Sequence, residues 1–172
     1  MEMNKTMLKN DYIIANAAPS DIDELLGLYR SFYGGPAGWN REYPSLETVE
    51  FDLARNCLFV MKDEREEIVA AASVDDDPAA EALDLWSPEL RPSVMVSRIC
   101  VRRDMQNRGL AGVILSYVMD ELEKRGKKGV HLLIHEGNDA AMRSYAHLSF
   151  KVIGECDLYG AHYICMERKI SI

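Results

Sequence analysis

Apolar residues along this chain form two kinds of pattern, short continuous runs and segments with helical spacing. The short runs are rich in Val and Ile and are bounded by polar turns, which is typical of β-strands. The other segments repeat apolar residues every three or four positions, which predicts helices with one apolar face. The strand-like runs are Asp11–Ala18, Cys57–Met61, Ile68–Val74, Val94–Val101, Val130–His135, Lys151–Leu158 and His162–Ile170. The helical segments follow Ser20, Ser45, Gly109 and Asn138.

The order of these elements predicts a single α/β domain. Between Val94 and His135 a strand, a helix and a second strand follow one another, which is a βαβ unit with a parallel pair of strands. The whole order predicts a mixed central sheet of about six to seven strands, flanked by about four helices. We assign residues 11–172 to this domain and residues 1–10 to an N-terminal tail.

Composition and charge exclude several function classes. The formal net charge of −8 argues against general nucleic-acid binding, which needs many Lys and Arg side chains at the phosphates. The apolar runs are too short for a membrane span, and the N-terminus lacks the pattern of a secretory signal. The four cysteines lie in apolar runs without metal-binding spacing. The sequence therefore predicts a cytoplasmic, reduced protein without a metal site.

The stretch from Val94 to Gly112 is the candidate binding region. Its strand-like first half leads through a polar turn into a helix that begins near Gly109. The free N–H groups at such a helix start carry partial positive charge and suit a phosphate or pyrophosphate. Glycine lets the backbone approach oxygen atoms closely, because it has no side chain. Three basic residues near the turn can meet phosphate oxygens, namely Arg102, Arg103 and Arg108.

Two motifs resemble those of one protein family. The segment Gln106-Asn107-Arg108-Gly109-Leu110-Ala111 matches the R/Q-x-x-G-x-G/A motif of the GNAT N-acetyltransferase superfamily, between the expected strand and helix. Further along, Asn138, Ala141 and Tyr145 match the second signature of this family, and Phe150 begins the next strand. Together the two motifs, in this order of strands and helices, are specific. The resemblance covers essentially the whole chain.

The resemblance implies a fold and a cofactor site. Such proteins bind acetyl-CoA, or another acyl-CoA, in a cleft where two central parallel strands splay apart, often at a bulge in the first strand. The backbone of that strand would pair with the pantetheine arm, and the N–H groups of the following turn would hold the pyrophosphate. The residues assigned to the cofactor on this basis are Ile99, Cys100, Val101, Gln106, Asn107, Arg108, Gly109, Leu110, Ala111, Gly112 and Asn138.

The reaction implied by the resemblance is direct attack of an amine on the thioester carbonyl. Tyr145 would protonate the departing CoA thiolate, since its hydroxyl is a hydrogen-bond donor at neutral pH. The base that takes the proton of the amine is not identified by the sequence, and the loop before the central strand offers Glu81, Asp84 and Glu89. If Arg98 faces the cleft, it would suit an acidic acceptor.

Several other polar residues are interpreted as structural. Asp75-Asp76-Asp77 is interpreted as a solvated turn, although the acidic loop that it begins favours a cationic acceptor. His131 and His135 share one face of a strand, where satisfied structural histidines are favoured over a metal pair. Ser149 stands where the family usually has glycine, at a position that commonly needs a left-handed backbone.

Two classes of function remain open. The first is an N-acetyltransferase for a small-molecule or peptide amine, and the alternative is a non-catalytic acyl-CoA-binding or regulatory module of the same fold. The acceptor depends on the Ser31–Tyr43 loop, the second helix and the Asp75–Arg91 loop, whose sequences identify no amine. The last strand, Tyr163–Ile170, is predicted to be an exposed edge that can pair with a second copy in a homodimer.

Overall fold

A computed structural model describes residues 6–7 and 12–171 and contains one mixed sheet of eight strands. The order of the strands across the sheet is β1-β2-β3-β4-β5-β6-β8-β7. Their bounds are β1 Thr6–Met7, β2 Ile13–Asn16, β3 Leu58–Lys62, β4 Ile68–Val74, β5 Ser93–Val101, β6 Gly129–His135, β7 Lys151–Leu158 and β8 Ala161–Lys169. The α/β class and the mixed central sheet are as the sequence predicts.

Within the described residues, five α-helices accompany the sheet. Their bounds are α1 Ile22–Arg30, α2 Leu46–Ala54, α3 Pro78–Glu81, α4 Leu110–Lys124 and α5 Asp139–His147. The two elements that the sequence does not predict, β1 and α3, are two and four residues long, too short for a recognisable period. Of the predicted tail, residues 1–5 and 8–10 lie outside the described residues, and Thr6–Met7 pair with Ile13 and Ile14.

The sheet is covered on both faces, which positions its central strands in the core. On one face α4 buries Ile114, Leu115 and Val118 against the central strands. On the other face a second cluster includes Leu25 and Tyr29 of α1. All seven residues of β4 are buried, as expected for a strand with helices on both sides.

The parallel pair β5–β6 separates soon after it begins. The two strands pair only at Ser93–Gly129, Val94–Val130 and Met95–His131. Beyond these pairs β5 stays paired with β4, and its register shifts between Ser97 and Cys100, with Arg98 in the left-handed region at a φ of 48°. A bulge bends and twists the strand that carries it. The splayed parallel pair that the family resemblance implies is therefore present, and it leaves the edge of β5 that faces β6 open beyond Met95.

The position of β8 differs from the prediction. The strand Ala161–Lys169 lies between β6 and β7 and pairs with both, so it is not an edge. The outer strand on this side is β7, Lys151–Leu158. The sequence cannot show this order of strands. After β7 the chain turns back antiparallel, and this return places β8 between β7 and the rest of the sheet. In the part of the chain that the structure describes, no helix has the length and apolar character needed to cross a membrane.

Candidate active site

A cavity of about 1040 Å³ opens where β5 and β6 diverge. Its floor consists of residues 95–99 of β5 and 132–135 of β6. Its walls come from the loop after α1, from α2, from residues 75–78 and from the turn between β7 and β8. The sequence predicts the first three of these walls, but it gives no indication of the β7–β8 hairpin, which adds Tyr159 from the turn and Ala161 and Tyr163 from the start of β8.

Arg98 is the central cation of this cavity. Its side chain is 3% exposed, and its Nε and Nη2 donate to Asp52 Oδ2 and Oδ1 at 3.1 and 3.0 Å. Its Nη1 donates to Asp75 Oδ2 at 3.2 Å and to the Tyr43 hydroxyl at 2.7 Å. Burial alone lowers the pKa of Arg98, but Tyr43, Asp52 and Asp75 outweigh it and raise that pKa. Since Arg98 is already bound to two carboxylates, it does not suit an acidic acceptor.

The segment Asp75–Asp77 is a wall of the cavity rather than a solvated turn. Burial raises the pKa of Asp75, but the charge of Arg98 and the hydrogen bonds from Ser97 and Arg98 outweigh it and hold that pKa below its usual range. The Ser97 hydroxyl donates to Asp75 at 2.8 Å. Asp77 accepts from the backbone N–H groups at the start of α3 and from the Tyr159 hydroxyl. These contacts fix the loop against β5 and the β7–β8 turn.

The candidate bases from the sequence lie elsewhere. Glu81, Asp84 and Glu89 are not among the residues that line the cavity. Glu81 instead pairs with His131, whose Nε2 lies 2.9 Å from Glu81 Oε1 and whose ring stacks on Trp86 at 4.0 Å. His131 is therefore a structural histidine, as expected, whereas His135 lines the cavity. No group of three or more His, Cys, Asp or Glu side chains suited to a metal occurs among the described residues.

Tyr145, Asn138 and Ile99 line the cavity together. Tyr145 lies on α5, and Asn138 caps the start of that helix by accepting from the Ala141 N–H at 3.4 Å. The Tyr145 ring packs edge-on against Phe150, with 6.0 Å between ring centroids. Burial raises the pKa of the Tyr145 phenol, and the nearby Cys100 thiol raises it further. Tyr145 therefore keeps its proton at neutral pH and can donate it.

The amides at the end of β5 alternate between two edges. The Arg102 N–H donates to Val69 O at 2.8 Å, on the side of β4. Because N–H groups alternate along a strand, the Cys100 amide lies on that same edge, and the amides of Ile99 and Val101 lie on the open edge. The Cys100 side chain is buried in the cluster on the α1 face. The Val101 carbonyl accepts from Gln106 Nε2 at 3.1 Å.

The turn from Gln106 to Gly112 lies outside the cavity, beyond the end of β5. Asn107 and Gly109 adopt left-handed backbones, with φ values of 63° and 76°. No side chain caps α4 at Gly109, so the N–H groups of its first turn point out of the helix end. A Cβ at Gly109 would meet no atom of residues 12–171 within 4 Å, so among these residues this face of the turn is open. Leu110 is buried in the core, and Ala111 and Gly112 are half-buried.

The three arginines near the turn differ in their contacts. Arg102 pairs with Asp104 at 2.7 Å and with Glu67 at 3.3 Å. Arg103 donates to the Ser31 carbonyl at 2.9 Å. Arg108 is exposed and has no hydrogen bond or ion pair with any described residue. Of the three, Arg108 is therefore the one with a guanidinium free to bind a phosphate.

Sequence reasoning missed two carboxylates of the cavity, Glu47 and Asp52 of α2. A signal for the second was present, since Asp52 falls on the same helical face as Val49 and Leu53. A carboxylate on an apolar face is expected to be buried with a partner. Asp52 is 1% exposed, and its partners are Arg98 and Arg55.

Comparison with known proteins identifies the family of this chain. Residues 22–150 match a family model described as the acetyltransferase (GNAT) family, and the chain belongs to that family. Acetyl transfer is the general activity that this fold supports. No curated protein matches the sequence.

Several solved structures are similar over almost the whole chain. The ribosomal-protein-S18-alanine N-acetyltransferase from Escherichia coli has 20% identity and a TM-score of 0.69, covering 94% of this chain and 95% of its own. An N-acetyltransferase from Staphylococcus aureus has 16% identity and a TM-score of 0.72, covering 94% and 100%. A GNAT superfamily phosphinothricin acetyltransferase from Sinorhizobium meliloti, in complex with acetyl-CoA, has 16% identity and a TM-score of 0.72, covering 92% and 88%. At these identities the likeness shows the fold.

Proposed function

We propose that this protein is an acetyl-CoA-dependent N-acetyltransferase that acetylates a primary amine by direct transfer, with Tyr145 as the general acid. The observation that carries the proposal is the cavity between the splayed strands. It brings Tyr145, the open edge of β5 and a set of acidic walls to one place. The names of two similar structures, a protein-alanine N-acetyltransferase and a phosphinothricin acetyltransferase, are consistent with either a protein or a small-molecule acceptor.

The residues present fit acetyl-CoA. The open amides of Ile99 and Val101 suit the amide-bearing pantetheine arm, which can pair like an additional strand. The first turn of α4 is uncapped, and its N–H groups suit the pyrophosphate. The free guanidinium of Arg108 suits a further phosphate, and Asn138, which lines the cavity, suits a contact with the arm. Gln106, Asn107, Gly109, Leu110, Ala111 and Gly112 contribute through their backbone.

In this proposal, residues of the chain have separate roles in the reaction. When bound, acetyl-CoA supplies the acetyl group as a thioester whose carbonyl carbon accepts the amine nitrogen. The Ile99 N–H, on the open edge of β5, donates to the thioester oxygen and favours the charge that develops there. Tyr145 gives its hydroxyl proton to the sulfur as the carbon–sulfur bond breaks. The half-buried position of Tyr145 limits competition from water for that proton.

The charge of the cavity favours a cationic acceptor. Five carboxylates line it, and Arg98 is the one guanidinium among the lining residues. Two of these carboxylates, Asp52 and Asp75, are committed to Arg98, which leaves the acidic groups nearer the mouth to attract a cation. An aliphatic amine is mostly an ammonium ion near neutral pH, so it matches this lining. An acceptor that carries carboxylates or phosphates at the end remote from its amine does not match this lining.

The test is a screen for thiol release from acetyl-CoA in the presence of amines of different charge. The set includes an aliphatic monoamine, a polyamine, an aminoglycoside, a peptide with a free N-terminus and an acidic amino acid. We expect turnover with a cationic amine and little with the acidic one. If every amine is inert while acetyl-CoA still binds in calorimetry, the enzyme proposal fails and the chain is a non-catalytic acyl-CoA-binding module.

A further inference from the structure

His135 is the last residue of β6, at the point where this strand has separated from β5. It is half-buried and lines the same cavity as Tyr145. Two contacts fix its ring. The Tyr163 ring packs edge-on against it, with 5.8 Å between centroids, and Gly38 lies so close that a Cβ there would be 2.7 Å from His135 Cδ2 and 2.9 Å from Nε2. The imidazole therefore has a defined position in the wall of the cavity.

The hydrogen bond of His135 determines its tautomer. Its Nδ1 lies 3.0 Å from the backbone carbonyl oxygen of Glu136. A carbonyl oxygen only accepts hydrogen bonds, so Nδ1 is the atom that carries the proton. In the neutral ring Nε2 then holds the free lone pair. No described residue forms a hydrogen bond to Nε2.

The other groups in the cavity that could accept a proton are less suited to act as a base. Asp52 and Asp75 both have carboxylate oxygens bound to the Arg98 guanidinium. Burial raises the pKa of Asp75, but Arg98 and Ser97 outweigh it and hold that pKa below its usual range, so Asp75 is a weak base. Asp77 accepts from the α3 backbone and from Tyr159. The remaining carboxylates, Glu47 and Asp76, have exposed side chains at the mouth. Among the described lining residues, His135 thus combines a fixed position, partial burial and a free lone pair.

We propose that His135 is the general base of the reaction, accepting at Nε2 a proton from the ammonium group of the acceptor. The inference rests on the N-acetyltransferase function proposed above. As the bond between nitrogen and the acetyl carbon forms, the carbon–sulfur bond breaks, and the nitrogen loses two protons in all. One reaches the solvent by way of His135, and the other replaces the proton that Tyr145 has given to the sulfur. Both residues thereby return to their starting states.

The pH dependence of this step follows from the state of the imidazole. A protonated ring has no lone pair at Nε2 and cannot accept the amine proton, so the rate falls at acidic pH. Other titratable and charged groups share the cavity with His135 and are the same in the variants below. They are Tyr145 on α5, Tyr163 on β8, Arg98 on β5, Tyr43 in the loop after α1, Glu47 and Asp52 on α2, Tyr159 in the β7–β8 turn, and Asp75, Asp76 and Asp77.

The experiment compares wild type, His135→Gln and His162→Gln on the amine found in the screen, between about pH 5.5 and 9.5. His162 is the matched control, because it lies outside the cavity and its ring nitrogens contact Asp157 and Glu155. We expect His135→Gln to lower kcat by about a hundredfold and to lose the acidic limb of the pH profile. His162→Gln should retain both, and the affinity for acetyl-CoA should be unchanged in both variants.

A second measurement does not depend on turnover. Long-range proton–nitrogen NMR correlations of the histidine rings report the tautomer, and the signal lost in His135→Gln should be a ring protonated at Nδ1 alone. A ring protonated at Nε2, or an unchanged kcat and acidic limb in His135→Gln, overturns the role of His135 while the N-acetyltransferase function stands. A wild type that acetylates none of the amines overturns both.

Discussion

Arg98 and Asp52 form a buried bidentate ion pair that joins the bulge of β5 to α2. The Arg98 Nε and Nη2 atoms each donate to one carboxylate oxygen of Asp52, at 3.1 and 3.0 Å. The two side chains are 3% and 1% exposed. Through Tyr43 and Asp75 the same guanidinium also holds two loops at the cavity, so one buried cation fixes three of its walls.

Asp52→Asn tests how much this ion pair contributes to the free energy of unfolding. The substitution keeps the shape of the side chain but leaves Arg98 with a buried charge that is only partly compensated by Asp75. We expect the free energy of unfolding to fall by about 3 kcal/mol, measured by urea denaturation. Glu121→Gln is the matched control, since Glu121 pairs with the exposed Lys124. This substitution should lower the free energy of unfolding by less than about 1 kcal/mol. Equal effects of the two substitutions would contradict the central role of Arg98.

Tyr145→Phe tests the proposed acid. Phenylalanine keeps the packing of the ring against Phe150 but removes the hydroxyl proton. We expect kcat for the amine to fall by about a hundredfold, with little change in the affinity for acetyl-CoA. Tyr12→Phe, a tyrosine that does not line the cavity, should keep the kcat of the wild type. An unchanged kcat in Tyr145→Phe would remove this residue as the acid.

Arg108→Ala tests the proposed phosphate contact. The side chain is exposed and has no ion pair with a described residue, so its loss should disturb the fold little. We expect the Kd for acetyl-CoA in calorimetry to rise about tenfold at low salt, because a charge-assisted hydrogen bond is lost. The difference from wild type should shrink at high salt. Arg65→Ala, in the exposed turn before β4, should leave the Kd unchanged, and a similar rise in both variants would point to net charge alone.

Ser149→Gly should stabilise the protein. The structure places Ser149 in the left-handed region, with a φ of 68°, as the family pattern of glycine at this position implies. A side chain costs about 1–2 kcal/mol there, and Ser149 is exposed, so little packing is lost with its hydroxymethyl group. We expect a gain of about 1 kcal/mol in the free energy of unfolding. The same change at Ser116, an exposed position inside α4, should instead cost about 0.5–1 kcal/mol.

Cys100 should make the fold sensitive to alkali. Burial raises the pKa of its thiol from the ordinary value of 9.0 to about 12. Above pH 9 the unfolded chain loses this proton while the folded chain keeps it, so the stability falls as the pH rises from about 9 towards 12. The expected loss is about 1 kcal/mol between pH 8 and 10 from this group. Urea denaturation should show a shallower fall in Cys100→Ala than in the wild type, and equal slopes in the two proteins would contradict this role of Cys100.

Local patterns in the sequence account for most of the fold. The period of apolar residues identifies seven of the eight strands and four of the five helices, because a segment that packs on a core repeats its apolar face. The exceptions, β1 and α3, are too short to show a period. The Gln106–Gly112 turn and the cap at Asn138 were also readable, since glycine and capping residues act within a few positions of their own backbone.

The sequence predicts only some of the residues that line the cavity. Asn138 and Tyr145 follow from the second family motif, Ile99 follows from the family resemblance, and the acidic loop suggested a cationic acceptor. In that loop the sequence offered Glu81 as a candidate base. In the structure Glu81 pairs with His131, and Asp75 and its neighbours line the cavity instead. Which carboxylate faces the cavity depends on where the loop leaves β4 and how α3 folds back, and neither has a local signature.

The sequence by itself thus determined most of the elements, the Gln106–Gly112 turn and the tyrosine of the second motif, because each depends on residues close to it in the chain. Only the tertiary structure decided that β8 is an inner strand, that Arg98 is neutralised by Asp52 and Asp75, and that His135 faces the cavity with a free nitrogen. These properties depend on strand register and on partners far apart in sequence. The charge and hydrogen bonding of a buried group are set by such neighbours.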